Sequence, residues 1–137
     1  PMYSVLAAVL TLLSIPSPQE KSKEHPILTV AKASLRDPSK PFTLLVSFKV
    51  KDGQEAKFEV AVAKAVSETR KEKGNLAYEL NRSARGSHYI IYERWENLAA
   101  LEAHMKTTQY KTAAEAVKPL IDMEIDVDLL VPVPTGN

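Results

Sequence analysis

Hydrophobic and polar residues alternate strictly in several short stretches of this chain, which is typical of strands with one buried face. The stretch FTLLVSFKV has an apolar residue at every second position from Phe42 to Val50. NLAYELNRS and SHYIIYERW also alternate, and the short turn SARGS between them predicts an antiparallel hairpin. MEIDVDLLVPV predicts a last strand. Its apolar face consists of Met123, Ile125, Val127, Leu129 and Val131.

Between these strands, apolar residues recur every three or four positions, which predicts helices packed along one side. EAKFEVAVAKAVSETRKEK predicts a helix, with Asp52 and Glu55 as a capping box at its start and Gly74 just beyond its end. Asn97 is suited to cap the helix LAALEAHMK. TTQYKTAAEAVKPLI predicts another helix, whose last turn Pro119 frays. The order strand, helix, strand, strand, helix, strand predicts an α+β fold with the ferredoxin-like split βαβ arrangement.

The predicted sheet has helices on one side only, so its second face needs a cover. The first and third strands carry apolar or aromatic residues on both parities. Apolar surface of this kind is usually buried in an interface. The sequence therefore predicts a homodimer formed by sheet-on-sheet packing about a two-fold axis.

Composition divides the chain into three segments: residues 1–20, 21–41 and 42–137, the last being the folded domain. The first holds an apolar run from Val5 to Leu13, shorter than the ~20 residues of a membrane span and similar to the core of a signal peptide. We expect export to the periplasm or the cell exterior. A short helix docked on an apolar groove, in a cytoplasmic protein, is the alternative. Residues 21–41 are interpreted as a linker or N-terminal extension, in which ILTVAKASL forms a strand or a helix.

Composition also argues against several kinds of site. The 18 basic and 17 acidic residues are interspersed, without the basic stripe of a nucleic-acid-binding protein. The chain has no cysteine, which removes disulfides and thiolate metal sites. His25, His88 and His104 lack the spacing of metal ligands, and the four glycines form no phosphate-binding loop. We therefore expect no metal and no cofactor.

Three stretches in the right order resemble the antibiotic biosynthesis monooxygenase family. They are VKDGQEAKF, ETRKEKGNLAYEL, and YERWENLAALEAH followed by TTQYKTAAEAV, so the resemblance covers Phe42 to Val133. It implies a dimeric α+β barrel with a pocket between sheet and helices, where O2 oxidises small aromatic quinols or anthrones, often without metal or flavin. A haem-degrading branch and an isomerase-like branch share the fold. The haem branch has an asparagine seven residues before the helix-start glycine, where this chain has Val46 before Gly53, which disfavours haem.

The resemblance points to side chains that could face such a pocket. One parity of the third strand carries Tyr89, Ile91, Glu93 and Trp95. His104, at the edge of the next helix's apolar stripe, is predicted to take a phenolic proton. Trp95 is predicted to share its cavity as an aromatic wall, and Glu93 to orient the histidine or bind a hydroxyl. The predicted substrate-binding residues are Tyr78, Tyr89, Tyr110, Val46 and Phe48.

Structural roles stay open for the same residues. Trp95 is also consistent with a plain core residue, and His104 with an exposed or capping residue. Glu93 is also consistent with an ion pair to an arginine or to a donor of a second subunit. His25 and His88 are expected at the solvated surface. The favoured function is a cofactor-independent monooxygenase of small aromatic compounds; the alternative is an isomerase-like protein or a non-catalytic, stress-response protein that binds a small ligand.

Overall fold

The computed structural model describes residues 24–122 and 126–136. Within them, the elements follow the predicted order, preceded by one additional helix. The strands are β1 (Phe42–Lys49), β2 (Asn75–Arg82), β3 (His88–Trp95) and β4 (Asp126–Leu130). The helices are α1 (Pro26–Ser34), α2 (Glu55–Thr69), α3 (Leu98–Met105) and α4 (Thr108–Val117). A 3₁₀ turn at Lys118–Leu120 follows α4, where the sequence predicts a distortion at Pro119.

The four strands form an antiparallel sheet in the order β2-β3-β1-β4. Strand β3 is paired on both sides, with Phe42 of β1 opposite Trp95 and Tyr78 of β2 opposite Glu93. Strands β1 and β2, which α2 connects, are therefore separated by β3. This is the split βαβ, ferredoxin-like topology, so the predicted α+β fold and the predicted hairpin are confirmed.

Burial along β1 alternates residue by residue, as its sequence pattern predicts. Its buried side chains lie under the helices and form the centre of the core with residues of α2 and β3. On β4, Val127 and Leu129 lie opposite Val46 and Leu44 and are half-buried on the same side of the sheet. Val131 lies beyond the strand and is 54% exposed. The other predicted apolar residues of this strand, Met123 and Ile125, lie outside the described residues.

The start of α2 differs from the prediction. Gln54 precedes the helix, and no side chain in the described part of the chain caps it, so the predicted capping box of Asp52 and Glu55 is wrong. The Glu55 carboxylate instead accepts a hydrogen bond of 2.7 Å from Ser87 Oγ, at the entrance to β3. The Ser87 hydroxyl thus binds the carboxylate that was expected to cap the helix, and this hydrogen bond connects the start of α2 to the end of the hairpin turn.

Helix α2 also ends earlier than predicted, and a turn leads from Thr69 to Gly74. Gly74 has a φ of +84°, and a Cβ atom there would lie 2.6 Å from the Cβ of Ala100. Both the left-handed backbone and the close approach favour glycine. Gly74 therefore has the predicted left-handed conformation, but it ends the turn after α2 and not the helix itself, which ends at Thr69. Because the helix ends before Glu72, this side chain can turn toward α3, where it contacts His104.

Helices α3 and α4 each begin with a side-chain cap. The Oδ1 of Asn97 accepts a hydrogen bond of 2.9 Å from the backbone of Ala100, as predicted. The Oγ1 of Thr107 accepts one of 3.3 Å from the backbone of Tyr110. The chain therefore bends between the helices and brings the ring of Tyr110 within 5.0 Å of the ring of His104.

The segment 21–41 contributes helix α1, so the open choice between strand and helix is settled in favour of a helix. Ile27 is 5% exposed and Ala31 is fully buried in the core. The Pro38 carbonyl accepts a hydrogen bond of 2.9 Å from the backbone N–H of Leu98, at the start of α3. The extension is therefore packed against the domain.

The predicted signal segment, residues 1–20, lies outside the described residues. Among residues 24–122 and 126–136, every helix is too short or too polar to cross a membrane.

The second face of the sheet is less covered than the first. Leu45 and Tyr92, which are opposite each other on β1 and β3, are partly buried, and Ile90 is 37% exposed. These residues form an apolar patch at the centre of the sheet. The homodimer that would cover it stays a prediction.

Candidate active site

A cavity of about 320 Å³ lies between the sheet and the helices. This is within the range of small-molecule sites, and most of its wall is apolar. Six of the eight predicted site residues line it: Val46, Phe48, Tyr78, Glu93, His104 and Tyr110.

His104 lies in the last turn of α3 and is 2% exposed. Its Nδ1 is 3.1 Å and 3.0 Å from the two carboxylate oxygens of Glu72. The Gln109 amide donates a second hydrogen bond of 3.0 Å to the same carboxylate. Glu72 is thus held in place from α4 while it fixes the orientation of the imidazole.

This pairing defines the protonation of the imidazole. Burial lowers the pKa of His104, and the carboxylate of Glu72 acts in the opposite direction without reversing the shift. The ring is therefore neutral at pH 7 and carries one hydrogen. Because a carboxylate only accepts hydrogen bonds, that hydrogen lies on Nδ1. Nε2 is left with a free lone pair, which is the arrangement that a general base requires.

The free nitrogen of His104 is buried without a hydrogen-bond partner among residues 24–122 and 126–136. An unsatisfied buried acceptor costs about 1–3 kcal/mol. A ligand hydroxyl in the cavity would remove this cost. The structure therefore holds, on a residue that lines the cavity, a buried nitrogen without a hydrogen-bond partner among these residues.

Aromatic rings surround His104. The ring of Trp95 is 4.8 Å from the imidazole and that of Tyr78 is 5.5 Å from it. Trp95 is fully buried and does not line the cavity. The rings of Trp95 and His104 lie together, as expected, although the indole is not among the groups that line the cavity. The role of Trp95 as an aromatic wall for a substrate stays a prediction. The indole lies behind the imidazole and limits its movement.

Glu93 lies on the cavity wall and is 3% exposed. Burial raises the pKa of Glu93 to about 8, against an opposing effect of the Trp95 indole and with a smaller contribution from the charge of Glu72. The carboxyl is therefore mostly protonated at pH 7 and can donate a hydrogen bond. None of the ion pairs within the described part of the chain involves Glu93, so the arginine partner considered from the sequence is absent there.

Tyr89 is not among the residues that line the cavity, and its role in substrate binding stays a prediction. Its Oη donates a hydrogen bond of 2.6 Å to Glu59, and the Arg82 guanidinium lies 5.5 Å from its ring centre. Tyr89 and Glu93 lie on the same face of β3. The Phe58 ring of α2, however, lies 4.7 Å from the Tyr89 ring and fills the space between Tyr89 and the cavity. Tyr89 therefore belongs to the core and to a separate surface depression.

Two polar residues near the cavity were not predicted. The sequence analysis gives Glu72 no role, and the side chain turns toward His104 because α2 ends at Thr69. His25 was expected at the surface, but it lines the cavity and its Nε2 is 3.0 Å from Tyr110 Oη. His88 is exposed, as expected. No group of three or more His, Asp or Glu side chains in the described ranges is arranged to hold a metal ion.

The fold and the site define a ferredoxin-like α+β protein whose cavity holds a buried histidine with a free nitrogen. A family model for antibiotic biosynthesis monooxygenase matches residues 41–116, which is more than half of the chain. The chain belongs to the antibiotic biosynthesis monooxygenase family, as the resemblance in its sequence indicates. Membership supports a general monooxygenase-like role.

Solved structures share this fold at low sequence identity. PA3566 from Pseudomonas aeruginosa is 25% identical, with a TM-score of 0.65 over 70% of this chain and 97% of that chain. Rv0793 from Mycobacterium tuberculosis is 23% identical, with a TM-score of 0.65 over 69% and 96%. An antibiotic biosynthesis monooxygenase is 22% identical, with a TM-score of 0.65 over 68% and 99%. No protein of curated function matches this chain.

Proposed function

We propose that this protein is a cofactor-independent monooxygenase that oxidises small aromatic quinols or anthrones with O2. The observation that carries the proposal is the neutral, buried His104, whose Nδ1 is held by Glu72 and whose Nε2 is free beside an apolar cavity. A buried base of this kind can deprotonate a ring hydroxyl that sits in the cavity.

The reaction begins when His104 Nε2 takes the proton of a ring hydroxyl. The resulting phenolate is electron-rich and passes one electron to O2, and the two radicals combine at a ring carbon. Loss of water from the hydroperoxide leaves a new carbonyl. One oxygen atom enters the substrate and the other leaves as water with two substrate hydrogens, so the substrate supplies all the electrons.

The other cavity residues position the substrate and stabilise charge. Val46 and Phe48 provide an apolar surface, and Tyr78 provides an aromatic edge near His104. Protonated Glu93 and the hydroxyl of Tyr110 are donors for oxygen atoms that become negative during the reaction. In a cavity from which water is largely excluded, such donors stabilise charge more than they would in water.

Oxygen uptake with a panel of quinols and anthrones tests the proposal. We expect the wild-type protein to consume one O2 per substrate, and His104→Ala to lower kcat by about 100-fold or more. His88→Ala is the matched control, because His88 is an exposed histidine at the start of β3. Full oxygen consumption by His104→Ala would show that the assignment of the base is wrong.

A ligand-binding role without turnover is the second candidate. It is favoured by the same free acceptor in an apolar cavity, which suits capture of a phenol as well as its oxidation. Tight binding of quinols without oxygen uptake by the wild-type protein would select this role.

We also infer that the protein is a homodimer whose sheets pack face to face. The support is the partly exposed apolar patch of Leu45, Ile90 and Tyr92 on the less covered side of the sheet. Sedimentation equilibrium at micromolar concentration should give twice the chain mass, and Tyr92→Glu should shift the mass toward that of one chain. A monomer mass for the wild-type protein would exclude the dimer.

Export is proposed from the sequence alone, on the apolar run between Val5 and Leu13. Amino-terminal sequencing of the protein from its native cell checks this proposal. A mature chain that still contains residues 1–20 would rule out a cleaved signal.

A further inference from the structure

Part of the cavity is formed by residues outside the region that matches the family. That region begins at residue 41, whereas His25 and Ile27 at the start of α1 line the cavity. Ile27 and Ala31 are buried in the core and hold α1 in place. His25 is therefore presented to the cavity by a packed helix.

Both ring nitrogens of His25 make hydrogen bonds. Nδ1 accepts a bond of 3.2 Å from the backbone N–H of Ile27 and caps α1. Nε2 lies 3.0 Å from Tyr110 Oη. Burial lowers the pKa of His25, so the ring is neutral at pH 7 and carries one hydrogen. Because Nδ1 accepts, that hydrogen lies on Nε2 and is donated to Tyr110 Oη.

The hydroxyl of Tyr110 consequently has its own hydrogen to donate. Burial raises the pKa of Tyr110, so the phenol keeps its proton at neutral pH. Its only hydrogen bond within the described part of the chain is the one from His25. The Tyr110 ring is 5.0 Å from the ring of His104, and both line the cavity. The cavity thus presents an O–H donor and the unpartnered acceptor of His104 on neighbouring rings.

The geometry points to His25 as a positioning residue that holds the Tyr110 hydroxyl as a donor to the ligand. The site would then select hydroxyaromatic compounds with a second oxygen on the ring system. One oxygen gives its proton to His104, and the other accepts a hydrogen bond from Tyr110. This inference deepens the proposed function, on which it rests only in taking His104 as the group that receives the first hydroxyl.

Three variants separate the two hydrogen bonds of His25. His25→Asn retains an acceptor suited to capping α1, because asparagine is a favoured N-cap residue, but its side chain is too short to reach Tyr110. His25→Gln has the length to donate an amide hydrogen to Tyr110. Tyr110→Phe removes the hydroxyl and keeps the ring.

Binding calorimetry without oxygen, using 1,4-dihydroxynaphthalene and 1-naphthol as probes, tests the inference. The wild-type protein should prefer the diol by roughly 2- to 12-fold, which corresponds to one net hydrogen bond. Tyr110→Phe and His25→Asn should both abolish this preference by lowering the affinity for the diol more than the affinity for 1-naphthol, whereas His25→Gln should retain most of it. Adding His25→Asn to Tyr110→Phe should have no further effect, because the two residues act through one hydroxyl.

A preference that persists in His25→Asn would overturn the inference, and so would an equal loss of affinity for both probes, which indicates a structural role only. A wild-type protein with no preference would overturn it as well. Because binding is measured without O2, a lack of oxygen uptake together with the expected preferences would reject the monooxygenase and support the role of His25.

Discussion

Glu93 is a carboxyl group buried in the middle of a sheet, and its protonation should control how stability depends on pH. It is 3% exposed, and burial raises the pKa of Glu93 from 4.5 to about 8, with an opposing effect of the Trp95 indole and a contribution of the same sign from Glu72. In the unfolded chain the carboxyl is in water and titrates near 4.5. Between these values the folded protein holds a proton that the unfolded chain has released. Glu93→Gln keeps the shape of the protonated side chain and removes the titration.

The direction and size of the effect follow from the two pKa values. Below pH 4.5 both states are protonated, and the contribution of Glu93 to stability is fully present. As the pH rises, the unfolded chain gains stability by releasing the proton, so the free energy of unfolding falls until about pH 8. Each pH unit in this interval costs about 1.4 kcal/mol, and the whole interval about 5 kcal/mol. That is a large fraction of the ~5–15 kcal/mol that holds a typical domain folded.

Urea unfolding of the wild-type protein and Glu93→Gln, followed by circular dichroism from pH 4.5 to 9, measures this difference. The wild-type protein should lose about 5 kcal/mol relative to the variant as the pH rises. Glu79→Gln, an exposed glutamate on β2, is the control and should parallel the wild-type protein. Burial lowers the pKa values of His25 and His104, so these residues stabilise the fold when the pH is above the ordinary pKa of histidine. This contribution is lost as the pH falls. It is equal in all three proteins and does not affect the comparison between them. A difference that is constant with pH would mean that Glu93 is ionised in the folded protein, and the reasoning would fail.

Two further predictions concern the turn after α2. Gly74→Ala combines a positive φ with a contact of 2.6 Å to the Cβ of Ala100 and should lower the free energy of unfolding in urea by about 3 kcal/mol. Gly53→Ala, which has a φ of +80° and open space around it, should cost only about 1–2 kcal/mol, and equal losses would contradict the role of the contact. Glu72→Gln should lower kcat for quinol oxidation by about 10-fold or more, because the His104 ring loses its fixed tautomer and its charge partner. Since Glu72 raises the pKa of His104, the acidic limb of the pH profile should also move to lower pH; an unmoved limb would exclude this coupling.

The strands and their order were predictable because side chains on a strand alternate between two faces. The alternation from Phe42 to Val50 and the hairpin turn are local properties, and together they fix which residues face the helices. The alternation does not show at which positions along a strand the helices leave a cavity above the sheet. Tyr89 and Glu93 share a face of β3, yet one is covered by Phe58 and the other faces the cavity.

The short distance between Trp95 and His104 was likewise easier to predict than which of the two residues lines the cavity. The rings of Trp95 and His104 are 4.8 Å apart, as expected for the end of a strand and the helix that follows it. Which of the two faces the cavity depends on the bend between α3 and α4 and on the rings packed around them. Neither a strand nor a helix period contains that information, so the sequence alone did not place the indole behind the imidazole.

The polar residues that orient His104 and Tyr110 also could not be identified from the hydrophobic pattern. His104 and Tyr110 lie on helices and could be found from the apolar pattern, but the residues that orient them, Glu72 and His25, lie in a turn and at the start of the N-terminal extension. A hydrophobic period records which side chains are buried, whereas the tautomer of a ring depends on a hydrogen bond that any nearby segment can supply. Since Glu72 and His25 contribute little to the apolar core, replacing them should change protonation and ligand choice more than stability. The chemistry of this site is therefore set largely by residues that the pattern of the fold does not mark.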